Sequence, residues 1–176
     1  MQILSALQRV DLRLFAWLFR NGKRYFLVTP ARAVSHSGDG YLHVLVPVLL
    51  VFMGAPLAGE FVLMLALALL IERPLYWVLK NALKRRRPEQ YVPGFRSMIV
   101  ASDQFSFPSG HSSAAFLLVT CLCVSYGAPA GAMLLWAGAV GFSRVLLGVH
   151  FPGDIIAGAS MGTTVALMAS SLLGLS

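Results

Sequence analysis

Apolar residues fill five stretches of this chain, and polar residues collect outside them. The stretches are residues 41–54, 58–80, 111–127, 130–149 and 154–174. The last four approach or exceed the roughly 20 apolar residues that a membrane-spanning helix needs, whereas the first is short. The pattern therefore predicts an all-α fold, a polytopic transmembrane helical bundle of about five spans.

The N-terminal stretch has a different pattern, in which one helical face is apolar and the rest is interrupted by polar residues. The apolar face of residues 2–20 holds Ile3, Leu4, Leu7, Leu14, Phe15 and Leu18, and the interrupting residues are Gln8, Arg9, Arg13 and Arg20. This amphipathic pattern predicts a helix that lies on the membrane surface, with Trp17 at the interface. Residues 35–40 then have the composition of a turn.

Composition and charge agree with a membrane protein. The 176 residues are 57% hydrophobic and 12% charged, and this charged fraction is about half that of a soluble domain. The net charge of +7 comes from two basic clusters, one before residue 41 and one between residues 80 and 96. A basic surface suits nucleic acid, anionic lipid headgroups or phosphate substrates. The apolar bulk argues against nucleic acid and makes the bilayer the expected partner.

Counting membrane crossings predicts that the remaining polar residues lie on one face of the membrane. Span 58–80 ends on the side of the 81–110 loop, span 111–127 leaves that side, span 130–149 returns and span 154–174 leaves again. The opposite loops carry no lysine or arginine. The residues that share the polar face are Lys80, Arg87, Ser109, Gly110, His111, Arg144, His150 and Asp154.

These residue types predict a site for a phosphoryl group. Lys80, Arg87 and Arg144 need an anion to neutralise them, and arginine matches phosphate oxygens with its forked donors. Ser109 and Gly110 stand where a helix begins, and a helix N-terminus offers free N–H groups to an anion. Gly110 would let the backbone approach the ligand closely.

The two histidines have separate predicted roles. His150 is the expected nucleophile, because Asp154, four residues later, can hold its far ring nitrogen. His111 is then the general acid for the departing oxygen and afterwards the base for water. Two histidines and an aspartate could instead bind a metal, but the three cations would repel it. We therefore expect neither metal nor cofactor, and interpret Lys84, Arg85 and Arg86 mainly as topology signals.

Together the motifs resemble the three-part signature of the type 2 phosphatidic acid phosphatases, the PAP2 superfamily. The signature reads Lys80-x6-Arg87-Pro88, then Pro108-Ser109-Gly110-His111, then Ser143-Arg144-x5-His150-x3-Asp154. The resemblance implies metal-independent dephosphorylation of a lipid phosphate through a phosphohistidine intermediate. It suggests one domain over residues 1–176, with an interfacial segment 1–40, first spans 41–80, an active-site loop 81–110 and catalytic spans 111–176.

Several features of this enzyme stay open. Phosphatidic acid, phosphatidylglycerophosphate and undecaprenyl diphosphate are all candidate substrates, and a phosphotransferase would use the same residues. A non-enzymatic lipid or ion transporter is less expected, because Glu72 and Arg73 are the only charged pair deep in a span. The expected location is the bacterial cytoplasmic membrane. The basic clusters favour a cytoplasmic active face, whereas resemblance to enzymes that recycle undecaprenyl diphosphate favours a periplasmic one.

Overall fold

The structure, a computed structural model, describes the backbone of residues 2–19 and 25–175, and the side chains of residues 8–19 and 26–175. These residues form helices and connecting loops, with no strand among them. The α-helices are α1 Gln2–Phe19, α2 Tyr25–Ser37, α3 Leu42–Phe52, α4 Ala58–Leu83, α5 Pro88–Tyr91, α6 Gly110–Tyr126, α7 Met133–Leu146 and α8 Pro152–Leu172, and a 3-10 helix, Ala128–Ala132, precedes α7. The predicted all-helical class is confirmed.

The five predicted apolar stretches all form helices, but they differ in length. Within the described part of the chain, three segments are long and apolar enough to cross a membrane, namely Ala58–Tyr91, Ala128–Leu146 and Pro152–Leu172. The apolar helices α3 and α6 have 11 and 17 residues. At 1.5 Å per residue they extend about 17 Å and 26 Å, against a hydrocarbon core of about 30 Å. The short first stretch therefore does not cross the core as one helix.

The two N-terminal helices pack against α7 and the start of α8. In α1, Phe15 is buried beside Val145 and Phe151, whereas Trp17 on its other side is exposed. The predicted amphipathic helix is thus present, and its position on the bilayer surface stays a prediction. Helix α2, which contains Pro30, packs along α7 and was not expected. The basic residues Arg20, Lys23 and Arg24 lie outside the described residues.

The closest packing in the fold is between α6 and α8. Gly158 and Gly162 lie at this contact, where there is no room for a larger residue. A Cβ atom at Gly158 would lie 2.3 Å from the Ser109 carbonyl oxygen. At Gly162 it would lie 2.0 Å from the carbonyl oxygen of Ser113. This close approach sets the N-terminus of α6 beside that of α8, where the Ser109 N–H donates to the Asp154 carbonyl oxygen at 3.0 Å.

The charged pair inside α4 is satisfied within the protein. Glu72 is fully buried, pairs with the neighbouring Arg73 and accepts a hydrogen bond from the Ser113 hydroxyl at 2.5 Å. A buried carboxylate needs such partners because an isolated charge in an apolar interior is very costly. The pair also links α4 to α6, next to the turn that carries His111.

Candidate active site

A cavity of about 340 Å³ opens at the face predicted to be polar. Its wall combines the turn between α2 and α3 with residues from α4, α6, α7 and the connecting loops. Five of the predicted site residues line it, and they are Arg87, Gly110, His111, Arg144 and His150. These five predicted residues meet at one cavity although the first and last of them, Arg87 and His150, are 63 positions apart in the chain.

The first turn of α6 presents its backbone to this cavity. Gly110 lies against Tyr76, so closely that a Cβ atom at Gly110 would be 3.1 Å from the Tyr76 ring and hydroxyl. Ser109 is fully buried, and its hydroxyl accepts hydrogen bonds from the Ser112 N–H and hydroxyl, which caps the helix. Ser109 thus shapes the helix start, and a direct bond from its hydroxyl to phosphate stays a prediction.

His150 lies in the loop between α7 and α8 with its Nδ1 atom towards Asp154. The Nδ1 atom is 3.6 Å from Asp154 Oδ2 and is a buried atom with no hydrogen-bond partner among the described residues. The pair is about 0.5 Å too far apart for a hydrogen bond. Burial lowers the pKa of His150 to about 4; Asp154 opposes this shift, and Arg87 and Arg144 reinforce it. The imidazole is therefore neutral at pH 7, which is the state that a nucleophile requires.

His111 has a carboxylate partner that the sequence analysis did not identify. Its Nε2 atom lies 2.7 Å from Asp39 Oδ1, and the other oxygen of Asp39 bonds His36 Nδ1 at 2.5 Å. Burial favours a raised pKa for Asp39, but its hydrogen bonds with His111 and His36 outweigh burial and leave the pKa below its ordinary value. Asp39 is therefore ionised at neutral pH. It had been assigned only to a turn.

A second unexpected carboxylate, Asp103, neutralises the cations of the site. Its Oδ2 atom accepts from Lys80 Nζ at 2.7 Å and from the Tyr76 hydroxyl at 2.6 Å, and its Oδ1 atom pairs with Arg87 Nη2. Burial works to raise the pKa of Asp103, but the hydrogen bonds from Lys80 and Tyr76, together with the nearby charges of Lys80 and Arg87, lower it overall. Asp103 thus supplies one negative charge to the two cations Lys80 and Arg87.

Arg144 is less completely satisfied than the other two cations. It is buried, and its Nη1 atom donates to the Ser35 hydroxyl at 2.7 Å. Its Nε atom is buried with no hydrogen-bond partner among the described residues. Buried polar atoms are nearly always paired, so a guanidinium with a spare donor at this wall fits an anionic ligand.

Arg85 corrects the expectation that Lys84, Arg85 and Arg86 act together as topology signals. Lys84 and Arg86 are exposed, but the Arg85 side chain is only 10% exposed. Its Nη1 atom donates to Asp154 Oδ1 at 2.6 Å, and its Nη2 atom donates to Asp11 Oδ2 at 2.7 Å. The run of basic residues concealed this role, because nothing in the sequence distinguishes Arg85 from its neighbours.

Comparison with known proteins decides the family. The sequence model of the PAP2 superfamily matches residues 57–174. The chain belongs to the PAP2 superfamily. Two similar proteins are the decaprenylphosphoryl-5-phosphoribose phosphatases of Mycobacterium tuberculosis, 27% identical over 84% of this chain and 81% of the relative, and of Mycolicibacterium smegmatis, 30% identical over 75% and 71%. The crystal structure of Aquifex aeolicus LpxE superposes with a TM-score of 0.78 at 26% identity, covering 92% of this chain and 95% of that one.

Membership in the PAP2 superfamily confirms the resemblance that the three motifs indicated. The chain is a phosphatase, a phosphoric ester hydrolase, and several of the relatives that it matches are named as phosphatases of lipids. Around the PAP2 signature the fold adds residues that the three motifs do not specify. Asp39, Asp103 and the pair of Asp11 with Arg85 each contact a signature residue.

Proposed function

We propose that this chain is an integral-membrane lipid phosphate phosphatase that acts on a phosphomonoester or diphosphate lipid through a phosphohistidine at His150. The main support is the neutral, buried imidazole of His150, which has Asp154 beside Nδ1 and lines a cavity with three arginines, Arg73, Arg87 and Arg144. Since Nδ1 faces the carboxylate, Nε2 is the nitrogen available to attack phosphorus.

In the first step, the lone pair of His150 Nε2 forms a bond to phosphorus as the bond from phosphorus to the lipid oxygen breaks. His111 donates a proton to that oxygen, which leaves as an alcohol or, from a diphosphate, as a monophosphate. In the second step, His111 takes a proton from water as the water oxygen attacks phosphorus and releases His150. Inorganic phosphate is the second product. Because His111 Nε2 bonds Asp39, Nδ1 is the nitrogen that would exchange this proton.

The cations would stabilise the transferring phosphoryl group. Arg87 and Arg144 lie at the cavity wall, Lys80 lies behind it, and the N–H groups at the start of α6 add to the positive potential. Preorganised donors of this kind stabilise the charge on the equatorial oxygens of the transition state. An incoming phosphate would take over the place of Asp103 on Lys80 and Arg87.

The substrate is a lipid whose headgroup ends in phosphate. The candidates are phosphatidic acid, phosphatidylglycerophosphate and undecaprenyl diphosphate, and the names of the mycobacterial relatives add decaprenylphosphoryl-5-phosphoribose. A second, open cavity of about 700 Å³ adjoins the first through Arg87 and Asp103 and is bordered by polar side chains that include Glu89 and Arg96. It offers room for a headgroup larger than phosphate, while the tail stays among the apolar helices.

The enzyme is proposed to reside in the bacterial cytoplasmic membrane with its active face towards the cytoplasm. Cations in contact with the site do not count as topology signals, which leaves the exposed Arg9, Arg13, Lys84 and Arg86. These four belong to α1 and the 81–110 loop, which are joined by the ion pair of Asp11 with Arg85. The loops on the other side carry no lysine or arginine. An alkaline phosphatase reporter fused after Leu172 should then be active, because α8 leads away from the active face. An inactive reporter would favour a periplasmic site.

Phosphate release by purified protein in detergent, with EDTA present, tests the proposed function. The panel holds the four lipids, and His150→Ala and the exposed control Arg86→Gln are measured alongside. We expect release that is lost in His150→Ala and retained in Arg86→Gln. Release that needs added Mg²⁺ or Zn²⁺ would contradict the metal-independent mechanism. Phosphate appearing on a second lipid instead of in solution would identify a phosphotransferase. The transporter alternative has no support, because the chain belongs to a family whose matched members are phosphatases.

A further inference from the structure

Arg85 joins the N-terminal helix to the catalytic carboxylate. Its guanidinium reaches Asp154 Oδ1 and Asp11 Oδ2, and two of its nitrogens also donate to the Gln8 side-chain oxygen at 3.0 Å and 2.8 Å. The guanidinium carbon lies 4.5 Å from the centre of the Phe151 ring. The side chains of Asp154, Asp11, Gln8 and Phe151 therefore fix the Arg85 guanidinium in one position. Its neighbours Lys84 and Arg86 are exposed.

Arg85 completes the set of bonds that holds Asp154. The Oδ2 atom of Asp154 accepts from the Ser106 hydroxyl and the Phe151 N–H, both at 2.8 Å, and it is the oxygen nearest to His150. Among the described residues Arg85 is the one hydrogen-bond partner of Oδ1, at 2.6 Å. Without Arg85 the carboxylate could rotate away from His150 or lose the positive charge that balances it in a buried place.

Asp11 in turn holds Arg85 and the start of α8. Asp11 is 2% exposed, and its Oδ1 atom accepts from the Gly153 N–H at 2.8 Å. A Cβ atom at Gly153 would lie 2.5 Å from Asp11 Oδ2, so α1 can approach this closely only because residue 153 is glycine. Asp11 also shares a face of α1 with the buried Phe15, whereas Val10, Leu14 and Trp17 on other faces are exposed.

We propose that Arg85, held by Asp11, is a positioning residue that keeps the Asp154 carboxylate directed at His150, and that α1 is therefore part of the catalytic apparatus as well as a surface helix. The inference rests on the proposed function, because it assigns a role in phosphoryl transfer. It assigns to Asp11 and Arg85 a role in the rate of the chemical step and none in binding phosphate.

The test separates positioning from structural support by comparing single and double variants. Arg85→Gln leaves two buried carboxylates without their shared cation, so it can also destabilise the protein. Asp11→Asn combined with Arg85→Gln removes one of those charges and should restore stability. We expect kcat to fall about 10- to 100-fold in Arg85→Gln, as when outer partners of an active group are lost, and to stay low in the double variant. KM and the inhibition constant for inorganic phosphate should change by less than about twofold.

Two further measurements complete the design. Arg85→Lys should recover part of the lost kcat, since lysine supplies the charge without the fork that reaches both carboxylates. Arg86→Gln and Arg9→Gln, exposed neighbours on the same segments, should match the wild type. Full recovery of kcat in the double variant would overturn the proposal in favour of a structural ion pair. Wild-type kcat in Arg85→Gln would overturn it too, whereas an inactive wild type would contradict the proposed function itself.

Discussion

Replacing Gly158 by alanine places a methyl group in the closest contact between α6 and α8. The added Cβ atom would lie 2.3 Å from the Ser109 carbonyl oxygen and 3.2 Å from Ser112 Cβ. Both obstacles are close to the backbone of α6 and cannot swing aside. Since unstrained contacts between carbon atoms begin at about 3.5 Å, the two helices must separate locally by about 1 Å.

This separation should reduce both stability and turnover. Overpacking a well-packed contact costs about 1–3 kcal/mol, and the better helix propensity of alanine offsets about 1 kcal/mol of it. We therefore expect a net loss of up to about 2 kcal/mol in the free energy of unfolding. Ser109 precedes Gly110 and His111, so the same shift displaces the proposed acid from His150. A displacement of about 1 Å can lower a rate by about 100-fold.

Thermal unfolding in detergent and phosphate release, measured on the same preparations, check this prediction. Gly138→Ala is the matched control, because Gly138 lies inside α7 and a Cβ atom there meets no other atom within 4 Å. The control should unfold at the wild-type temperature or slightly above and turn over normally. A Gly158→Ala variant that equals the wild type in both measurements would refute the close α6–α8 contact and the alignment argued from it.

Two further substitutions probe the carboxylates that the fold adds to the site. Asp39→Asn should lower kcat about 10-fold because His111 Nε2 loses its charged acceptor. The exposed Arg86→Gln is the control, and an unchanged kcat in Asp39→Asn would contradict the reasoning. Asp103→Asn should strengthen inhibition by inorganic phosphate several-fold, since the Asp103 carboxylate pairs with Lys80 and Arg87 in the structure and would compete with phosphate for them. Weaker inhibition would contradict this and show that Asp103 arranges these cations for phosphate. The pKa of Asp103 is below its ordinary 3.8. Its ion pairs therefore stabilise the fold fully above about pH 4, and this stabilisation is lost as the pH falls through the lowered pKa. The difference in unfolding temperature between wild type and Asp103→Asn should thus be constant from pH 5 to 8 and shrink in stronger acid.

The sequence was sufficient for the parts of the site that depend on local spacing or on counting spans. His150 and Asp154 are close because Asp154 follows four positions later, in the first turn of α8. Arg87, His111 and Arg144 share a cavity because successive helices cross in alternate directions. The length of α3 and the presence of α2 were harder to predict from the sequence. Pro30 and a mixed composition hide the helical pattern of residues 25–37.

The partners of these residues could not be predicted, because they depend on long-range packing. Asp11 is 74 residues from Arg85, and Asp39 is 72 residues from His111. Each aspartate lies in a segment whose pattern has an ordinary explanation, an amphipathic helix for the first and a turn for the second. Asp103 likewise lies in an irregular loop, where no periodicity fixes the direction of a side chain. Only the folded arrangement distinguishes these carboxylates from surface charges.

The central claim, a phosphohistidine at His150, is tested most directly by trapping the phosphoenzyme. Protein in detergent is mixed with a lipid carrying ³²P in its terminal phosphate, quenched in alkali within the first turnover and digested for peptide mapping. We expect label on the peptide that contains His150, stable in alkali and released by mild acid, and no label in His150→Ala. Label on His111, or rapid phosphate release by an enzyme that never becomes labelled under these conditions, would contradict it.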